Sequence, residues 1–191
     1  MKILIILFSL LFLSSCTTKS PVQDLPTPTM IPQTSVTLSP SSNTPKTDSV
    51  VALKTKNGQI VIKLYSKETP NTVTTFIKKV NSGFYNGLTF HRVIDGFMAQ
   101  GGDPTGTGTG GGSQASELNQ IPFKRGSLGL ARTPASKDIS NDSQFFICFT
   151  DNGCQHLTGD YVNFGEVISG LDVLDKIVQG DKIIEITTKT K

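Results

Sequence analysis

One stretch of the sequence, residues 90–103, combines an arginine and a glutamine with bulky apolar residues and then ends in glycines. As a β-strand it places Phe90 and Arg92 on one face, because side chains alternate along a strand. Arginine keeps its positive charge and offers five N–H donors in a rigid fork. A fixed cation beside Phe97 and Met98 therefore favours a binding site for a neutral, partly apolar ligand with a carbonyl group to hold.

The overall composition excludes several classes of function. The chain has 191 residues and a formal net charge of only +3, with no cluster of basic and aromatic residues, which argues against nucleic-acid binding. Its cysteines and histidines lack the spacing of a zinc site, so we predict no metal and no cofactor. The glycine-rich segment 105–112 lacks the Gly-Lys-Ser/Thr ending of a nucleotide-binding loop. We expect a monomer.

The N-terminus predicts export. Lys2 precedes an apolar run, residues 3–13, that is too short for a stable transmembrane helix. The residues Leu-Ser-Ser then precede Cys16, which resembles a bacterial lipobox. We predict a signal peptide over residues 1–15, cleavage before Cys16 and lipidation of that cysteine. An ordinary secretory signal that happens to contain a cysteine is the alternative.

The segment after the cysteine changes character. Residues 17–49 are rich in proline, serine and threonine, have few charges and contain no aromatic residue. Such a segment buries too little apolar surface to offset the entropy cost of ordering it. We predict that residues 16–49 are a disordered tether beginning with the lipidated cysteine. The tether would hold a folded domain, residues 50–191, on the extracytoplasmic side of a bacterial envelope.

The remaining sequence has the alternation of a compact, mainly β domain. Segments 50–56 and 59–65 flank Asn57-Gly58, a dipeptide typical of tight hairpins. A helix is predicted from Pro70 to about Gly83, with Thr69 as its N-cap. The other predicted elements are strands at 88–94, 97–101, 127–131, 143–149, 161–168 and 183–187 and a second helix at about 171–178. Many strands and two helices favour a β-barrel with helices over its open ends.

Four segments resemble, in the same order, the signature of the cyclophilins, the peptidyl-prolyl cis-trans isomerases. They are residues 90–103, 126–132, 141–147 and 157–167. The resemblance extends over roughly residues 50–187 and implies a closed eight-stranded antiparallel β-barrel capped by two α-helices. It also implies an enzyme that accelerates X–Pro bond rotation in proline-containing segments of unfolded or exported proteins.

The resemblance also implies roles for individual residues. Arg92 would be catalytic, donating to the proline amide, and no nucleophile would be needed. His91 falls on the opposite face of the strand and is interpreted as structural. The residues implied to bind the peptide are Phe97, Met98, Gln100, Thr109, Ala131, Arg132, Gln144, Phe146, Leu157 and Tyr161.

The sequence departs from many eukaryotic members of the family at three of its positions. His156 stands where those members have a tryptophan that matters for cyclosporin binding, so we predict weak inhibition by that drug. Tyr161 replaces a pocket histidine, and Arg132 replaces an asparagine. These departures concern inhibitor affinity and peptide preference, since Arg92 is retained.

Two questions remain open at this level. Cys148 and Cys154 either form a disulfide, which an exported protein would keep, or are one buried thiol and one loop cysteine. The chain is an isomerase, a non-catalytic, proline-peptide-binding or chaperone-like lipoprotein, or a structural envelope protein with no peptide affinity. Turnover of a short X–Pro peptide discriminates between the first two functions.

Overall fold

The computed structural model describes residues 49–189. The predicted signal peptide, Cys16 and all of the predicted tether except Ser49 lie outside these residues. Among the described residues there is no helix both long and apolar enough to cross a bilayer.

Ten strands and three α-helices make up this part of the chain. They are β1 Val50–Thr55, β2 Gly58–Leu64, α1 Pro70–Asn81, β3 Arg92–Ile94, β4 Met98–Gly101, β5 Ser113–Ala115, β6 Ser127–Leu130, β7 Ile139–Asn141, β8 Phe145–Cys148, α2 Asp151–Cys154, β9 Asn163–Ser169, α3 Leu171–Leu174 and β10 Glu185–Lys189. A 3₁₀ turn, Gln155–Leu157, follows α2 directly.

Eight of the strands form one curled antiparallel sheet in the order β10-β1-β2-β9-β6-β8-β4-β3, and β5 pairs with β7 separately. The expected closed barrel is wrong, because the edge strands β10 and β3 do not pair and the sheet is a half-barrel. Irregular segments fill the gap: the N–H of Gly87 donates to the Ile183 carbonyl and that of Phe90 to the Asp181 carbonyl, both at 2.8 Å. Register shifts in β2 and β6 add to the curl.

The first hairpin and the first helix are confirmed, but their ends differ from expectation. Thr55 pairs with Gly58, so the two-residue turn is Lys56-Asn57 and lies one position before the predicted dipeptide. Thr69 precedes α1 without capping it, since its hydroxyl donates to the Tyr65 carbonyl at 2.9 Å. The carboxylate of Glu117, distant in sequence, accepts from the first free N–H groups of the helix instead, including that of Thr72 at 2.7 Å.

The second predicted helix is much shorter than expected, and a further helix was missed. After Leu174 the backbone changes to i to i−3 hydrogen bonds, and the Asp181 carboxylate accepts the N–H of Val178 at 3.2 Å. The helix therefore cannot continue to residue 178. The missed helix, α2, is capped by Thr150, whose hydroxyl accepts the N–H of Gly153 at 3.0 Å. A threonine followed by aspartate is a helix-start signal that could have revealed it.

The sheet buries different side chains on its two faces. One face packs under α1 as the main core, with Ile147 of β8 and Ala99 of β4 inside it. The opposite face carries a smaller cluster consisting of Met98, Phe123, Phe146, Cys148, Cys154 and Leu157. Cys148 and Cys154 are joined by a disulfide, which settles the open pairing and ties α2 to β8. This second face is the one that positions the candidate site.

Candidate active site

Three adjacent strands bring three of the predicted site residues into one row. Arg92 of β3 pairs with Gln100 of β4, and Gln100 pairs with Phe146 of β8. Partners across neighbouring strands project from the same face of a sheet, so these three side chains are neighbours. They border a pocket of about 210 Å³, the Arg92 pocket, lined by Arg92, Phe97, Met98, Gln100, Ala131, Arg132, Phe146, His156, Leu157 and Tyr161.

The guanidinium of Arg92 has only neutral partners within the described residues. Its Nη1 donates to Gln100 Oε1 at 3.4 Å and lies 4.0 Å from the sulfur of Met98. No carboxylate of residues 49–189 pairs with it. An arginine with a structural role on a strand would normally form a surface ion pair. Here the charge is left available in a pocket that it shares with the apolar side chains of Met98 and Phe146.

A relay of amides fixes Gln100. Its Nε2 donates to Gln144 Oε1 at 2.9 Å, which leaves Gln100 Oε1 free to accept from Arg92. Gln144 is buried and donates in turn to the carbonyls of Gly108 and Gly110, at 3.1 and 2.8 Å. The orientation of the arginine is thereby coupled to the glycine-rich loop.

The glycine-rich loop is folded around the buried carboxylate of Asp103. That carboxylate accepts from the backbone N–H and the hydroxyl of Thr105, both at 2.8 Å, and from the N–H of Gly108. Burial opposes ionisation, but these hydrogen bonds and one from Gly110 hold the pKa of Asp103 at about 2. A Cβ at Gly110 would collide with the carboxylate, so the glycines serve this compact turn.

Replacing Asp103 by asparagine is expected to lower the free energy of unfolding at pH 7 by about 2 kcal/mol. The reason is that the pKa falls from 3.8 to about 2 on folding, and each unit is worth roughly 1.4 kcal/mol. Because the pKa of Asp103 is lower in the folded protein than in the unfolded chain, its ionised carboxylate contributes its full stabilisation above the unfolded-state pKa. That stabilisation is lost as the pH falls towards 2. Urea unfolding at pH 7, 5 and 3 should therefore show the gap between wild type and Asp103→Asn narrowing at pH 3. A gap that is independent of pH would contradict this account.

The apolar wall of the Arg92 pocket is built on Phe146. Its ring stacks on Phe123 at a centroid distance of 5.6 Å and meets the ring of Tyr161 edge-on at 5.9 Å. Gly129 of β6 lies against the Phe146 ring, and a Cβ at this position would occupy the space that the ring fills. Gly129 was not recognised from the sequence, because its role depends on a contact across the sheet.

Most of the residues implied by the resemblance come together, with two exceptions. Gln144 lies in an adjoining cleft of about 150 Å³, which is lined by Gln100, Gly108, Gly112, Ser113, Ala131, Arg132, Thr133, Ile139, Ser140, Asn141 and Gln144. Thr109 lines neither cavity, and its hydroxyl is hydrogen-bonded to that of Thr107 at 2.8 Å. His156, which the resemblance does not include among the peptide-binding residues, also lines the Arg92 pocket.

The residues before β3 differ from the strand that was predicted. The strand begins only at Arg92, and Phe90 is fully buried in the main core, so the two do not share a face. His91 lies close to Gly108 of the loop, and its ring nitrogens are shielded without a hydrogen-bond partner in the described chain. Burial lowers the pKa of His91, which keeps it neutral. In residues 49–189 no group of three or more His, Cys, Asp or Glu side chains is arranged to hold a metal ion.

A comparison with known families identifies the protein family that has this arrangement. The sequence profile of the family described as "Cyclophilin type peptidyl-prolyl cis-trans isomerase/CLD" matches residues 50–190. The chain belongs to the cyclophilin family. Its half-barrel, its short helices and the row across β3, β4 and β8 are therefore one cyclophilin domain.

Curated cyclophilin relatives are similar over most of the domain. A peptidyl-prolyl cis-trans isomerase of Helicobacter pylori is 47% identical over 137 residues, which cover 69% of this chain and 81% of that protein. Peptidyl-prolyl cis-trans isomerase B of Bacillus subtilis is 43% identical over 132 residues, covering 67% and 89%.

Solved cyclophilin structures agree with the fold. A crystal structure of a cyclophilin-type isomerase from Cryptosporidium parvum matches with a TM-score of 0.70 at 31% identity, over 76% of this chain and 99% of that one. A second structure of that protein, in the presence of the dipeptide Ala-Pro, gives a TM-score of 0.68. Since nearly the whole of that protein corresponds to this domain, residues 49–191 are expected to fold alone.

Proposed function

We propose that this cyclophilin-type peptidyl-prolyl isomerase accelerates X–Pro rotation in exported proteins, with Arg92 as the donor to the proline amide. The observation that carries the proposal is the guanidinium at the opening of the Arg92 pocket, whose hydrogen-bond partners within residues 49–189 are Gln100 and Met98. Proline-containing segments of unfolded or exported proteins are the proposed substrates. The Ala-Pro dipeptide used with the Cryptosporidium protein supports this substrate class.

The barrier to be lowered comes from amide resonance. Rotation about the C–N bond costs about 18–20 kcal/mol, since the twisted bond loses its double-bond character. At the twisted stage the proline nitrogen becomes pyramidal and gains a basic lone pair. A donor aimed at that nitrogen binds the twisted state more strongly than the planar state, which is the condition for catalysis. No covalent intermediate and no cofactor take part in this mechanism.

The surroundings of Arg92 strengthen the interaction that such a donor makes with the proline nitrogen. The proline ring would occupy the space between Met98, Phe146 and Leu157, each of which is buried. Apolar walls exclude water and strengthen an electrostatic interaction at the opening. Gln100 orients the guanidinium before the substrate binds, so little further free energy is needed to orient it during the reaction.

Export and membrane anchoring are part of the same proposal. The support is the apolar run 3–13 before Cys16 and the proline-rich segment that follows it. The disulfide between Cys148 and Cys154 adds an independent argument, because disulfides persist in oxidising, extracytoplasmic compartments. Unaided X–Pro isomerisation takes tens of seconds or longer, so a tethered isomerase would speed folding where it is slow.

The isomerase activity is tested with residues 49–191 and a short X–Pro peptide. The rate of cis-to-trans conversion is measured while binding of the same peptide is followed in parallel. Acceleration at substoichiometric protein supports the proposal. Binding of the peptide by folded protein without any acceleration would contradict it and favour a proline-peptide-binding lipoprotein.

Replacing Cys16 by serine is expected to remove the lipid anchor, because the acylated thiol is lost. The full chain is expressed in a bacterium, and its membrane-bound fraction and intact mass are measured beside a Thr17→Ala control. We expect wild type and the control to pellet with membranes at a mass increased by acyl chains, and Cys16→Ser to lose both properties. An unchanged mass and unchanged membrane fraction in Cys16→Ser would contradict the anchor.

A further inference from the structure

A second arginine stands at the junction of the two cavities. Arg132 lines both the Arg92 pocket and the adjoining cleft, a position it shares only with Gln100 and Ala131 among the lining residues. A peptide that places its proline in one cavity and runs on into the other therefore has to pass the Arg132 side chain.

The Arg132 guanidinium is held in place. It lies 4.4 Å from the centroid of the Tyr161 ring, within the range of a cation–π contact. Its Nε donates to the Asp160 carbonyl at 2.9 Å, and its Nη1 donates to the Thr133 carbonyl at 3.0 Å. These contacts fix the plane of the fork and use two of its five donors. Within residues 49–189, the other three donors have no acceptor.

The charge around this fork is one-sided. Both residues with a formal charge that line the two cavities are arginines, and no carboxylate among the described residues lines either cavity. Two carboxylates near the cavities have other partners: Asp160 pairs with Lys137 at 3.5 Å, and Asp142 pairs with Lys79 at 3.4 Å. A carboxylate on the substrate would therefore meet a preformed fork without an internal competitor.

We propose that Arg132 is a specificity-determining residue that makes this enzyme prefer X–Pro segments with an acidic side chain close to the proline. This inference rests on the isomerase function proposed above and names the substrate class within it. The substrate carboxylate accepts from the free Nη groups of Arg132, a charge-assisted pairing that an isosteric glutamine makes less well and a lysine opposes.

The test uses a series of host peptides that differ only in carrying Glu, Gln or Lys at one position on either side of the proline. For residues 49–191, kcat/KM is measured for each peptide by NMR exchange. At one or more positions we expect Glu to exceed Gln by about five-fold and Lys to fall below Gln. The Glu preference should shrink at high salt, as screening weakens charge pairs near a surface.

Variants of Arg132 make the assignment specific. In Arg132→Gln the Glu/Gln ratio should approach one, and in Arg132→Glu the preference should invert in favour of Lys. Because each ratio is formed within one variant, a general loss of activity or folded protein cancels. Lys54→Gln is the matched control, since it removes an exposed cation that lines neither cavity and pairs with Glu185, and it should keep the wild-type ratio.

The outcomes distinguish the proposed specificity of Arg132 from the isomerase activity on which it rests. Equal rates for Glu, Gln and Lys peptides that are all accelerated would overturn the specificity and leave the isomerase intact. A Glu preference that survives Arg132→Gln, or disappears in Lys54→Gln, would assign the preference to another residue. No acceleration of any peptide would refute the isomerase and this inference together.

Discussion

Replacing Arg92 by alanine is expected to lower kcat/KM for a short X–Pro peptide by about 10²–10³-fold, the cost typical of removing one preorganised donor. The variant keeps the apolar wall but removes the group that is aimed at the twisted amide. Because Arg92 is exposed and has no ionic partner in the described residues, the substitution should change the free energy of unfolding very little. Urea unfolding should place the stability of the variant within about 0.5 kcal/mol of wild type.

Arg92→Lys is the matched control for charge. It retains a cation at the same position but loses the planar fork that can reach Gln100 and the substrate together. We expect activity between that of wild type and that of Arg92→Ala. Full activity in Arg92→Lys would mean that charge alone suffices, and full activity in Arg92→Ala would remove Arg92 from the mechanism.

Gly129→Ala is expected to have the second largest effect, although Gly129 touches no substrate in this account. The added Cβ takes the space occupied by the ring of Phe146, so the ring has to leave the pocket wall or push β6 and β8 apart. Overpacking of this kind costs about 1–3 kcal/mol of stability. A displaced pocket wall is expected to lower kcat/KM by about 10–100-fold.

A double-mutant cycle with Phe146→Ala isolates the cause. If the collision with the ring is responsible, Gly129→Ala should cost little stability once the ring is absent, and the two changes should be strongly non-additive. The free energy of unfolding is measured for wild type, both single variants and the double variant. Equal costs of Gly129→Ala with and without the Phe146 ring would show that the glycine serves another purpose.

The local elements with strong periodicity could be predicted from the sequence. The hairpin of β1 and β2 and the helix α1 follow from alternation, a turn dipeptide and an apolar face with 3.6-residue spacing. The residues of the Arg92 pocket were predicted from the family resemblance, because they lie on segments far apart in the chain. Residues such as Phe97 and Leu157 carry no local signal that separates a pocket wall from a core.

The features that were missed depend on contacts between distant segments. Glu117 caps α1 from 45 positions away, while the local candidate Thr69 bonds backward to Tyr65. The open edge between β3 and β10 is likewise decided by loops that replace a ladder of strand hydrogen bonds. The relay from Arg92 through Gln100 and Gln144 joins three separate segments, so only the folded sheet brings it together.

The most direct test of the central claim measures rotation on the enzyme separately from binding. NMR exchange on an X–Pro peptide saturated with residues 49–191 gives the interconversion rate of bound cis and trans forms, and a titration gives the dissociation constant. For Arg92→Ala we predict that bound interconversion slows by most of the catalytic factor, while the dissociation constant changes by only about three-fold, because the apolar wall is intact. Unchanged bound interconversion with much weaker binding would show that Arg92 only holds the peptide, and would contradict its role as donor to the twisted amide.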